Sequence, residues 1–218
     1  MKKLEEMSLQ ELWQLFPIIL KTPDPNYAAW YQEERAALLQ VLQGVQITCI
    51  SHIGSTAVPG LLAKPIVDIL LELPADYDRR TVIARLQHAR WRLMNQNQAA
   101  ATLDFNKGYT PAGFADRVFR LHVRPAGDWG ELYFRDYLIA HPEIASQYAS
   151  LKRRLMAEYE HDRDAYTAGK TAFVAKYTQL GRQAFGHRYQ PKRWLEFVEI
   201  LKLLPAGLLL SARRSICF

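Results

Sequence analysis

Pro65 to Leu73 is a continuous apolar run, Pro-Ile-Val-Asp-Ile-Leu-Leu-Glu-Leu, and it limits this chain more than any other segment does. A strand of this kind is stable only when both of its faces are covered, so the fold must place layers on either side of a sheet. One residue contradicts the pattern. Between Ala36 and Leu71 the only formally charged residues are Lys64 and Asp68, and Asp68 lies inside the run. An ionised carboxylate there is costly unless a cation or a set of donors meets it. The partner is either Lys64 or an arginine from elsewhere in the chain, or else a metal ion or a reacting hydroxyl.

Around this strand the remaining elements follow from periodicity. Ser8-Leu9-Gln10-Glu11 has capping-box spacing, and Leu12, Leu15, Phe16 and Ile19 share one helical face. The Pro23-Asp24-Pro25-Asn26 cluster interrupts that helix. A second helix runs from Tyr27 to Gln43, directs Trp30, Leu38, Val41 and Leu42 inward, and ends at Gly44. Gln46 to Ile53 alternates as a strand, Gly54 to Lys64 is a loop or one short helical turn, and Asp78 to Ala89 is a helix. Trp91–Asn97, Thr102–Asn106 and Arg117–Arg124 are further strands, the middle one weak. From Glu131 to about Leu204 the pattern is helical, broken near His141-Pro142, His161 and Gly186–Pro191. An α+β fold is expected, a small mixed sheet with helices before it and a helical bundle after it. Its parts are an N-terminal helical extension (1–24), a main domain (25–188; sheet part about 45–125, helical part about 131–188), and a C-terminal helix with an apolar tail (189–218).

Charge is placed unevenly. Of the net +6, the whole excess lies between Leu151 and Arg193, where ten Lys or Arg face four acids. Contact with phosphate is one explanation, and a solvated helix face is the other. Two cysteines, Cys49 and Cys217, are too few for a disulfide framework or a Cys-rich zinc site, and a reducing, cytoplasmic compartment is expected. No stretch has the length and purity of a membrane span, Leu203–Ala212 being too short. Trp91, Trp129 and Trp194 are isolated, so no stacking platform for sequence-specific nucleic-acid binding is expected.

Gly54-Ser55-Thr56 follows a strand, and such a turn can aim backbone N–H groups and hydroxyls at a phosphate. The same dipeptide is also an ordinary turn. Arg135, Lys152, Arg163 and Lys170 in the helical half could clamp phosphate, although Arg135-Asp136 could equally be a self-satisfied pair. Tyr166 and Lys170, at i and i+4, share a helical face and could serve a base and a phosphate together. Asp68 with His52 and His122 could hold one divalent ion, or each histidine could be structural.

The run from His52 to Asp68 (His52-Ile53-Gly54-Ser55-Thr56 … Val58-Pro59-Gly60-Leu61 … Lys64-Pro65-Ile66 … Asp68) resembles the GrpB family, uncharacterised UPF0157-type proteins placed in the nucleotidyltransferase superfamily. Arg120-Leu121-His122-Val123, Phe134–Leu138, Tyr148 with Lys152, and Asp164-Ala165-Tyr166 followed by Gly169-Lys170 continue the likeness, over roughly Pro25 to Leu180. The resemblance implies a nucleotidyltransferase-like fold and a nucleotide or phosphorylated metabolite as ligand. It implies Asp68 and His122 as catalytic residues, with Asp68 holding Mg2+ or another divalent ion. His52, Gly54, Ser55, Thr56, Lys64, Arg135, Lys152, Tyr166 and Lys170 would bind the phosphate or nucleotide. Transfer of a nucleotidyl group to an unidentified acceptor would be the reaction. The superfamily pattern also asks for a second carboxylate two residues after the first and a third on a neighbouring strand. Here position 70 is Leu70, Glu72 stands about 13 Å beyond Asp68 along the strand, and Arg117–Arg124 holds no acid. Two further readings therefore stand beside the transferase: a non-catalytic nucleotide-binding or regulatory module, and an RNA-associated protein using its basic helices.

Overall fold

A computed structural model describes residues 2–190. The apolar run forms β2 (Val67–Leu73), whose odd-numbered residues are fully buried on one face of a five-stranded sheet. The strands lie in the order β1-β2-β5-β4-β3, with β1 at Cys49–Ile53, β3 at Arg92–Asn97, β4 at Thr102–Thr110 and β5 at Gly113–Pro125. β2 and β5 pair in parallel and every other neighbour is antiparallel, so the sheet is mixed.

Each face has its own helical layer. Val67, Ile69 and Leu71, with Leu121 and Val123 of β5, pack on α2 (Asn26–Val41) through Tyr27, Tyr31 and Leu38 and on α3 (Arg79–His88) through Val82 and Leu86. Removing this apolar surface from water is the main stabilising term. The other face carries Asp68, Leu70 and Glu72, and over it lie α4 (Gly130–Ala140), α5 (Pro142–Tyr159) and α6 (Arg163–Phe185). There Leu70 and Ile53 meet Leu132, and beyond them the sheet surface turns polar. Gly181 lets α6 approach α4 closely, since a Cβ there would stand 2.7 Å from the Tyr133 carbonyl oxygen.

Most sequence expectations hold at the level of elements, and several differ in extent, β1 beginning at Cys49 rather than Gln46 and α2 ending at Val41 rather than Gln43. The Ser8 capping box is present, with Ser8 N donating to Glu11 at 2.6 Å, but α1 stops at Leu15 (Leu9–Leu15). Pro17 is the reason: the residue before a proline is driven out of the helical region, and Phe16 sits at φ −122°, ψ 64°. Ile19 is therefore not on the helix. β4 and β5 are longer than expected and form a hairpin through Pro111-Ala112, because Gly108 at φ +88° carries β4 past a register shift between Lys107 and Tyr109. The expected C-terminal helix with Trp194, Phe197, Ile200 and Leu201, the apolar tail and Cys217 lie outside the described residues. Among the described residues no helix is long and apolar enough to cross a membrane.

Candidate functional site: a recess of unpaired cations between sheet and helices

The turn after β1 builds one wall of the site. Gly54 takes φ +72°, and a Cβ on it would stand 2.6 Å from Oδ2 of Asp68, so the backbone lies directly against that carboxylate. Ser55–Ala57 then form one 3-10 turn. Thr56 Oγ1 donates to the Ile66 carbonyl at 3.2 Å and so can only accept from His52 Nε2, 3.0 Å away. Burial pushes the His52 pKa down to about 4, which keeps the ring neutral. Opposite Ile69 in register and stacked on Tyr31 with ring centroids 4.8 Å apart, His52 belongs to the α2 face of the sheet. The structure does not bring His52 together with Asp68 and His122, and the expected single-metal set of those three residues is corrected on that ground.

On the opposite face Asp68 is paired in register with Arg120, and Leu70 with His122. His122 Nε2 lies 3.7 Å from Asp68 Oδ1, and its Nδ1 is 3.0 Å from Asp104 Oδ1. Asp104 comes from β4, directly opposite His122, and also accepts from Arg124 at 2.6 Å. Sequence reasoning sought the third carboxylate within Arg117–Arg124 and missed Asp104. The signal was alternation: Asp104 stands between Leu103 and Phe105, both buried on the other face. Burial alone would lower the His122 pKa, but the hydrogen bond to Asp104 and the nearby Asp68 carboxylate reverse this and raise it to about 9. His122 is thus an imidazolium at neutral pH. Burial would likewise raise the Asp68 carboxyl, yet the His122 imidazolium and the Arg120 charge beside it hold it below the usual range.

Facing these strands, α5 and α6 contribute cations. Lys152 is 3% exposed, and its Nζ donates to Ser55 Oγ at 2.9 Å and to the Leu62 carbonyl. Tyr166 is buried, with Lys64 Nζ 4.7 Å and Lys170 Nζ 4.3 Å from its ring centre, as the i, i+4 spacing of Tyr166 and Lys170 predicts. Arg163 opens α6, and Arg120 donates to the Tyr109 hydroxyl at 3.2 Å. Burial and the mutual repulsion of these groups lower the pKa of Lys64 to about 6, of Lys152 to about 7 and of Lys170 to about 8. Arg163 is depressed too, chiefly by Arg120. Among the described residues none of Lys64, Arg120, Lys152, Arg163 and Lys170 forms an ion pair, whereas Arg117, Arg124, Arg135, Arg182 and Arg188 each do.

Arg135 stands apart from this recess. Its guanidinium donates to the His52 carbonyl at 2.9 Å, to Tyr189 Oη at 3.0 Å and to Asp136 at 2.8 Å, which ties α4 to the end of β1. The recess thus unites Gly54, Ser55, Lys64, Asp68, His122, Lys152, Tyr166 and Lys170; His52 and Arg135 support its wall from behind, and Thr56 bridges the turn to β2. The donor set does not fit a divalent ion. Leu70 fills the second carboxylate position at 1% exposure, both nitrogens of His122 face carboxylates, and the groups around Asp68 are cations. Among the described residues no group of three His, Cys, Asp or Glu side chains is arranged to hold a metal ion.

A mixed sheet with an apolar layer on one face and a cluster of basic side chains under helices on the other defines an α+β protein with helical layers on both faces. The chain belongs to the GrpB family, whose model, described as GrpB protein, matches residues 17–180. A UPF0157 protein of Pseudomonas aeruginosa is 41% identical over 167 residues, which cover 76% of this chain and 67% of that protein. The glutamate-rich protein GrpB of Alkalihalophilus pseudofirmus is 34% identical over 161 residues, 72% of this chain and 91% of its own. The crystal structure of the conserved protein GrpB from Enterococcus faecalis superposes with a TM-score of 0.66 at 26% identity, covering 77% of this chain and 99% of that one. A dephospho-CoA kinase of Mycolicibacterium paratuberculosis is 28% identical over 178 residues, 71% of this chain and 43% of that protein.

Proposed function

We propose that this protein binds a phosphorylated ligand, a nucleotide or a phosphorylated metabolite, in the recess between β2, β5 and helices α5 and α6. The observation that carries this reading is the set of five basic side chains, Lys64, Arg120, Lys152, Arg163 and Lys170, gathered at one largely half-buried spot without an ion-pair partner among the described residues. Like charges held together in a poorly solvated place raise the energy of the free protein, and an anion that enters relieves them. Guanidinium and ammonium groups grip phosphate well, the first in bidentate fashion and the second as point charges, and a multiply charged phosphate matches several of them at once. The dephospho-CoA kinase that shares this segment is named for a phosphorylated substrate, which points the same way. Calorimetric titration with the four nucleoside triphosphates tests the reading. Micromolar binding that Arg163→Ala and Lys170→Ala each weaken at least tenfold is expected; no heat with any of them would end it.

Nucleotidyl transfer is the finer reading, and one observation favours it: the Gly54-Ser55 turn lies against an ionised Asp68 on the adjoining strand. The magnesium that such chemistry uses meets an unfavourable donor set here, so a non-catalytic binding module is the better supported form. Asp68→Asn separates the two. Loss of nucleotide incorporation into an acceptor with binding retained would mark the transferase; unchanged binding with no incorporation by either protein would mark the module. An RNA-associated role predicts affinity that falls steeply with salt over several phosphate contacts.

A further inference from the structure

We propose that the recess takes an oligophosphate chain as the free anion, its fixed cations standing where a divalent ion would otherwise neutralise the phosphates. This rests on the phosphate-binding reading above and adds to it the ligand class and the absence of a metal requirement. The argument is one of charge and place. Asp68 and Asp104, the carboxylates at the site, are already matched by His122 and Arg124, at 3.7 Å, 3.0 Å and 2.6 Å. Lys64, Arg120, Lys152, Arg163 and Lys170 are left over, five positive charges once Lys64 and Lys152 have taken up their protons. A single phosphoryl group brings a charge of about −2, too little to match them, whereas two or three linked phosphates come close.

The arrangement also works against a magnesium-loaded ligand. A chelated ion cancels much of the phosphate charge on which the recess depends, and it would have to sit beside Arg120 and the His122 imidazolium with Asp68 as its one carboxylate ligand among the described residues. Guanidinium and ammonium groups fixed by the fold supply the same neutralisation without an ion. The lysines adjust to their load as well. Lys64 and Lys152 face Asp68, Arg120, Arg163, Lys170, Ser55 and the rings of Tyr148 and Tyr166, and their depressed pKa values let them gain protons when the anion arrives.

Calorimetric titration of the whole chain with orthophosphate, pyrophosphate and tripolyphosphate decides the matter, each run with chelator and again with magnesium in excess of ligand. Affinity is expected to rise at least tenfold from orthophosphate to tripolyphosphate and to fall several-fold when magnesium is added. Equal affinity for ortho- and tripolyphosphate would overturn the ligand class, and tighter binding with magnesium would overturn the metal-free mode. Failure of all three anions to bind would overturn the phosphate-binding reading as well. Lys64→Met is expected to weaken tripolyphosphate at least tenfold, while the exposed pair Arg153→Ala and Arg154→Ala leaves it unchanged. Equal losses from the two sets would place the anion on the outer face of α5 and overturn the proposal.

Discussion

Two clusters on opposite faces of this sheet treat their half-buried cations in opposite ways. On the α2 face Lys107 donates to both oxygens of Glu34, at 2.7 and 3.0 Å, and lies 5.4 Å from the Trp91 ring centre. Glu34 is 8% exposed, and the pair is complete. On the α6 face Lys64, Arg120, Arg163 and Lys170 form no ion pair among the described residues, and Lys152 meets Ser55, a carbonyl and the Tyr148 ring rather than a carboxylate. A completed pair serves the fold by itself. An incomplete one raises the free energy of the protein, and the anion proposed above would relieve it, the stability–function trade-off that a binding site would show.

Cutting the completed pair should produce the largest loss. Glu34→Ala leaves Lys107 without its counter-ion beside two aromatic rings, and urea denaturation should show destabilisation of about 3 kcal/mol. A change under 1 kcal/mol would mean that the two faces do not differ in the way described. Next comes Gly54→Ala, in which a Cβ meets the Asp68 carboxylate 2.6 Å away at a φ of +72°. Stability should fall by about 2 kcal/mol and phosphate affinity with it, since the turn must move off Asp68.

His122 supplies a pH test of about the same or smaller size. Its folded pKa of about 9 lies above the ordinary value of 6.5, so its contribution is complete below pH 6.5 and disappears as pH rises through about 9. His122→Gln should therefore cost about 2 kcal/mol at pH 6 and almost nothing at pH 9.5. A penalty independent of pH would show that the imidazolium is not what joins Asp68 to Asp104. The smallest effect has the opposite sign. Lys64→Met removes an unpaired amine that burial and its neighbours hold largely neutral, and keeps its apolar stem, so the empty protein should gain about 1 kcal/mol while losing phosphate affinity. Destabilisation on this substitution would erase the contrast with Glu34→Ala.

Ligand binding offers a final refinement. At pH 7.5 Lys64 and Lys152 are largely deprotonated, with pKa values of about 6 and about 7, and an incoming anion raises both. Titrations in two buffers of different ionisation enthalpy should show net proton uptake at pH 7.5 that vanishes near pH 5. Uptake of no protons at pH 7.5 would mean that the lysines do not face the bound anion.

Much of this was legible before any coordinates. The apolar run around Asp68, the Ser8 capping box, the breaks at His141-Pro142 and His161, and the Tyr166–Lys170 face all depend on spacing within one element, which the helix and strand periods dictate. Arg120, Asp104 and Tyr109 did not stand out as site residues, because each is an ordinary polar residue until strand pairing decides its neighbours. Period-2 alternation with buried Leu103, Phe105 and Leu121 was the available clue. His52 and Arg135 show the converse. Their motifs suggested the site, yet strand register turns His52 to the α2 face, and hydrogen bonds to the His52 carbonyl, Tyr189 and Asp136 occupy Arg135.

By itself the sequence determined the elements, the layered class of the fold and the cost of Asp68, because backbone periodicity and the burial of a charge are local properties of a chain. Only the tertiary structure decided which cations are paired and which are left over. Pairing depends on register between β2, β5 and β4 and on how α5 and α6 lie across them. Glu34 and Lys107 are 73 residues apart and meet, while Lys152 crosses to Ser55, 97 residues away, and finds no carboxylate there.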